Sequence, residues 1–187
     1  MTRRFLTVFA AFGLVFAWGF LGRSAPDAAP AVAPALHDYG PAPQFTGIDH
    51  WLNSEPRSMD ELKGKVVVVD FWTYSCINCL RTLPFMTDLH ANYASRGVVV
   101  IGVHTPEFGY ERLTRNVESA TQRFGITYPV AQDNAYATWR AYDNQYWPSV
   151  YVIDRRGHIM LKHVGEGGDE EIRQAIETLL QQTVGEP

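Results

Sequence analysis

From Gln44 onward the apolar positions of the chain alternate between extended and helical spacing. Lys65-Val66-Val67-Val68-Val69-Asp70-Phe71 is a β-branched run that is apolar at odd and even positions alike. It predicts a strand covered on both faces. A helix is predicted from Cys76 to about Ser95, stopped by Gly97. Val98 to Val103 reads as a second buried strand, and Leu113, Val117, Ala120 and Phe124 recur at helical spacing before Gly125. Tyr128 to Ala131 predicts a short strand and Asn134 to Tyr142 a short helix. Ser149 to Ile153 and His158 to Val164 flank Asp154-Arg155-Arg156-Gly157, a hairpin signal. Ile172, Ala175, Ile176, Leu179 and Leu180 share one face of a closing helix. This order implies an α/β domain over residues 44–187, a mixed central sheet with helices on both faces.

The first 43 residues follow other rules. Arg3 and Arg4 precede Phe5 to Gly22, which carries no charged side chain and would span about 27 Å as a helix. Residues 1–23 therefore read as a membrane anchor or a signal segment, with uncleaved anchorage preferred because the cleavage signals are poor. The arginines place the N-terminus on the cytoplasmic side and the rest of the chain across the membrane. Residues 24–43, rich in alanine and proline, read as an extended, partly stiff linker.

Composition narrows the function. Apolar residues make up 46 % and charged residues 19 %, which suits a packed domain, and a net charge of −4 without a basic cluster argues against nucleic-acid binding. Two cysteines cannot make a multi-disulfide scaffold or a four-cysteine zinc site. They are Cys76 and Cys79, placed just after the buried strand where the helix begins.

Three residues apart on a helical turn, their Cα atoms would lie about 5–6 Å apart, within disulfide reach. At the helix N-terminus, unpaired N–H groups and the helix dipole favour a thiolate at Cys76. Cys79, one turn in, would be shielded and suited to resolving a mixed disulfide. A purely structural disulfide would close a tiny loop and stabilise little. Zinc would need two more ligands, and the histidines show no matching spacing. Redox chemistry is the better use of this pair.

Several separated features then resemble one family. Val69-Asp70-Phe71-Trp72 followed by Cys76-x-x-Cys79, Pro84 within the helix, and Trp147-Pro148-Ser149 before Val150-Tyr151-Val152-Ile153 resemble the thioredoxin superfamily. The long stretch from Thr105 to Asp133 is similar to the insertion of its membrane-tethered, TlpA-like branch. Trp72-Thr73-Tyr74-Ser75-Cys76-Ile77-Asn78-Cys79 resembles the thioredoxin-like domain of DipZ-type proteins. The resemblance implies a thioredoxin-like fold with Cys76 and Cys79 as the redox-active, catalytic pair. It implies that Asp70 exchanges a proton with Cys79, that Glu107 is a carboxylate near the cysteines, and that Pro148 is cis. Trp147 and Pro148 would meet the substrate, and Trp72 would line the site or belong to the core.

The expected activity is thiol–disulfide exchange on cysteine pairs of exported proteins, as a reductant on the outer face of a bacterial cytoplasmic membrane. Cytochrome c maturation is one setting, and the dithiol would be recharged by a membrane electron donor. No cofactor or metal is expected. Two other readings compete. Thr73-x-x-Cys76 has the spacing of peroxiredoxins, although Val69 stands where a proline is expected. A Cu(I) carrier could use both thiols with His104 or His163.

Overall fold

The computed structural model describes residues 36–182; the expected anchor 1–23, the linker as far as residue 35, and residues 183–187 lie outside the described residues. The chain runs through β1 (His50–Leu52), β2 (Val66–Trp72), α1 (Ile77–Tyr93), β3 (Val98–His104), α2 (Thr114–Arg123), β4 (Val130–Gln132), α3 (Ala137–Ala141), β5 (Ser149–Ile153), β6 (Ile159–Val164) and α4 (Asp169–Gln181). The strands form one mixed sheet in the order β1-β4-β3-β2-β5-β6. β2 is parallel to β3 and antiparallel to β5, so the valine-rich run lies inside the sheet, as its two-sided apolar pattern requires.

Alternation along β2 divides the core. Val66, Val68 and Trp72 pack with Leu83, Met86 and Leu89 of α1 and with Ile172, Ile176 and Leu179 of α4. Val67, Val69 and Phe71 face the other way, onto Trp139, Tyr142 and Tyr151. Asp70 falls in the first set by register and shares its face with α1. The helix boundary at Gly97 also follows from local geometry. A 3-10 turn over Ala94–Arg96 ends there with φ at 92°, a conformation open to glycine.

Three features differ from the sequence reading. β1 carries too few residues to show a period and is held by pairing with β4. The helix expected over Asn134 to Tyr142 shrinks to α3, because the Asp133 carboxylate accepts the N–H groups of Ala137 and Trp139 and sets the start late. The end of the expected linker is also part of the fold. His37 and Tyr39 N–H groups donate to Met160 and Ile159, Ile159 N–H donates back to Gly40, and Ala42 N–H reaches Gly157. Residues 37–42 thus lie along the free edge of β6, and Asp38 pairs with His158 at 2.9 Å. Proline-rich composition foretold an extended chain but not its backbone partner. Among the described residues no helix is long and apolar enough to cross a membrane.

Candidate active site

β2 ends at Trp72, and Thr105 N–H donates to its carbonyl at 3.1 Å, which ties the end of the central strand to the chain leaving β3. Thr73-Tyr74-Ser75 then turns into α1 with Cys76 as its N-cap. The Cys76 sulfur accepts the N–H of Cys79 at 3.3 Å, so the first thiol occupies the place of a capping oxygen. The two cysteines are free thiols; Cys76 is half-buried and Cys79 fully buried. Burial, and then the hydrogen bond with Cys76, push the Cys79 thiol far up, and the charge of Asp70 adds to this. One thiol is reachable and the other keeps its proton until a base takes it.

Asp70 is the carboxylate whose charge reaches Cys79. It is fully buried on the α1 face, and neither carboxyl oxygen has a hydrogen-bond partner among the described residues. Burial raises its pKa to about 7. Its register partner on β3 is Gly102, where a side chain has no room. A Cβ there would come 2.9 Å from Trp72 Nε1 and 3.1 Å from the Tyr128 ring. Trp72 Nε1 and the Tyr128 hydroxyl are also buried without partners among the described residues, so Asp70 sits in a polar but unsatisfied pocket of the core.

Trp72, expected either to line the site or to belong to the core, is fully buried, edge-on to His104 at 5.3 Å. It lies behind the site because it continues the inward register of Val66 and Val68. Trp147 is half-buried; its ring lies 4.2 Å from Trp139 and its Nε1 donates to the Thr105 carbonyl at 3.0 Å. The Trp147–Pro148 bond is cis and Pro148 is buried. Among the described residues nothing pairs with the backbone N–H or carbonyl of Trp147.

Glu107 is exposed, and its contribution to the local structure is its backbone N–H. The carboxylate buried behind the turn belongs to Glu111, four residues on, in a 3-10 turn over Gly109–Arg112. Ser75 donates to Glu111 Oε1 at 2.5 Å, and the N–H groups of Glu107 and Phe108 donate to Oε2 at 2.6 and 2.8 Å. Burial pushes the Glu111 carboxyl up, but hydrogen bonds from Ser75, Thr73 and the two backbone groups outweigh it and hold the pKa below the ordinary value. Sequence reasoning missed Glu111 because its side-chain partner, Ser75, lies far away in sequence, in the turn after the neighbouring strand β2. The one local signal was a carboxylate three residues after an exposed turn start, the spacing of a cap.

Thr73, which opens the Thr-x-x-Cys spacing, is buried with its hydroxyl 3.3 Å from His104 Nε2. His104 is buried against Tyr74, and burial lowers its pKa to about 4, so the ring is neutral. His163 lies on β6, 3.5 Å from Glu171. Among the described residues no three His, Cys, Asp or Glu side chains come together as a metal site.

The chain is similar to known proteins over most of its described residues. Residues 40–162 match the model of the AhpC/TSA family. Protein DipZ of Mycobacterium bovis is 43 % identical over 151 residues, 79 % of this chain and 22 % of that protein, so the chain spans about a fifth of the length of that relative. The thiol-disulfide oxidoreductase ResA of Geobacillus thermodenitrificans is 30 % identical over 138 residues, 74 % of this chain and 75 % of that one. The crystal structure of a thioredoxin-like superfamily protein superposes with a TM-score of 0.71 at 25 % identity, covering 76 % of this chain and 97 % of that one. With the dithiol, the mixed sheet and the insertion in place, the chain belongs to the AhpC/TSA family, in the TlpA-like branch of the thioredoxin superfamily that includes thiol–disulfide oxidoreductases.

Proposed function

We propose that the chain reduces disulfides in exported proteins from the outer face of a bacterial cytoplasmic membrane, anchored by residues 1–23 and recharged by a membrane electron donor. The Cys76 thiolate attacks one sulfur of a substrate disulfide, forming a mixed disulfide and releasing the other sulfur as a thiolate. Cys79, giving its proton to Asp70, attacks the Cys76 sulfur. The second substrate thiolate leaves, and Cys76 and Cys79 end as a disulfide, two electrons poorer. The observation that carries this reading is the asymmetry of the pair: a half-buried Cys76 at the helix cap, and a buried Cys79 under the charge of an Asp70 whose pKa is near 7. The free backbone of Trp147 suits an extended substrate that pairs as a strand. Maturation of c-type cytochromes is one setting for such a reductant.

Peroxide reduction gains nothing from Thr73, whose hydroxyl is engaged by His104 and Glu111. Copper carriage gains nothing from His104, whose ring is enclosed by Trp72 and Tyr74.

The test equilibrates the full-length protein in detergent against thiol and disulfide buffers and reads the cysteine state by alkylation mass shift. The expected result is an internal Cys76–Cys79 disulfide with a potential near or below that of thioredoxin, about −270 mV. A potential near about −120 mV would reverse the direction, and absence of the disulfide would end the reading. Cys79→Ser should trap substrates through Cys76.

A further inference from the structure

Among the described residues, large apolar side chains left exposed include Ile77, Phe108, Tyr110 and Tyr146. Ile77 follows Cys76, and Tyr146 precedes the cis-proline pair. Phe108 and Tyr110 come from the insertion, and hydrogen bonds bring them to the same place. Tyr110 donates from its hydroxyl to Ser75 Oγ at 3.3 Å, and its carbonyl accepts from the Tyr74 hydroxyl at 3.0 Å. The Phe108 and Tyr110 rings stack 5.6 Å apart and 7° from parallel, while each stays about half exposed, at 49 % and 52 %.

Two exposed aromatic rings held face to face, beside a reactive thiol, are unusual for a surface that only meets water. What holds them is Glu111. One of its oxygens takes the backbone of Glu107 and Phe108; the other takes Ser75, which in turn receives Tyr110. A single buried carboxylate thus orders both rings and the residue before Cys76. The neighbouring chain is pinned as well, by Trp147 Nε1 on Thr105 and by the Tyr136 hydroxyl on the Pro106 carbonyl. A surface ordered before contact loses little conformational entropy on binding.

We propose that Glu111 is a positioning residue that fixes Phe108 and Tyr110 as a docking surface for an extended polypeptide with an aromatic side chain beside its reactive cysteine. The inference rests on the oxidoreductase reading above. Its occupant follows from the site: Tyr110 is hydrogen-bonded to Ser75, the residue before the thiol that a substrate must reach, the unpaired Trp147 backbone suits an extended chain, and exposed aromatic faces favour stacking with an aromatic side chain. Glu111 touches no substrate and acts through Ser75 and the two rings.

The test compares two synthetic peptides that share one disulfide, flanked by phenylalanine in one and by serine in the other, reduced by the full-length protein with a chemical dithiol as electron source. The unaltered protein should favour the phenylalanine peptide in kcat/KM, mainly through KM. In Phe108→Ala, Tyr110→Ala and Glu111→Gln that preference should fall about tenfold, the size of a lost aromatic contact. The two ring variants change exposed side chains, so they keep the test sound if Glu111→Gln does not fold. A preference unchanged in both ring variants would overturn the inference while leaving the oxidoreductase reading intact. An unaltered protein that reduces neither peptide would overturn both.

Discussion

Asp70, within β2, and Glu111, in the 3-10 turn after β3, are two buried carboxylates in opposite states. Asp70 has no donor within reach among the described residues and is raised to about 7. Glu111 is surrounded by donors and lies below its ordinary value although its surface too is closed to solvent. Burial alone therefore does not set the protonation of a carboxyl group. What decides is whether the fold supplies hydrogen bonds to the charged form. Near neutral pH Asp70 is poised to take or give a proton, whereas Glu111 is locked as an anion and holds structure. The unsatisfied group is free to exchange a proton, and the satisfied one is held by the structure around it.

Asp70→Asn gives the largest break in that contrast. Exchange should slow about 10²- to 10⁴-fold, the usual contribution of a positioned acid–base group, and the rate should lose its dependence on pH around 7. The redox equilibrium should move far less. Stability should change as well. The folded protein holds the Asp70 proton from the ordinary value of 3.8 up to about 7, so its stability falls as pH rises through that window. Asp70→Asn removes this loss and should be more stable at pH 8 by on the order of 4 kcal/mol, with the gain vanishing below about pH 4. Denaturant melts at both pH values check this, and an equal difference at both would show that Asp70 does not titrate in the fold.

Glu111→Ala should act with the opposite sign. It leaves buried donors unpaired and should cost about 3 kcal/mol at pH 7. Because the folded pKa is depressed, the stabilisation is present above the ordinary carboxylate value and is lost as pH falls through the lower folded one. The penalty should therefore shrink in acid, read from the same melts. Glu107→Gln is the smallest and sharpens the assignment. With an exposed side chain, it should change stability by no more than about 0.5 kcal/mol and leave the pH–rate profile unmoved. A loss comparable to that of Glu111→Ala would return the structural role to Glu107.

The contrast also marks what could be seen in the sequence. Asp70 stood out because one charge interrupts a run of valines in a strand covered on both faces, and the family resemblance put it near Cys79. Cys76 and Cys79 stood out because spacing and a strand-to-helix junction are local. The helix ends at Gly97 and Gly125 were legible for the same reason. Glu111 was hidden because its partner Ser75 lies 36 positions away, and nothing in its neighbours announces that a loop folds back onto another loop. Trp72 could be read two ways for a related reason: an aromatic residue beside a reactive motif suggests a lining, while the strand register turns it inward. β1 was invisible because three residues show no period.

The strand-like seam between residues 37–42 and β6 bears on solubility. Sheet margins with bare amide and carbonyl groups invite pairing with another molecule, and β6 is the last strand on its side. The seam covers the first half of that margin with the protein's own chain. Cutting the chain at the composition boundary, near Gln44, would strip this cover and leave a self-adhesive border, whereas a cut before Leu36 would keep it closed.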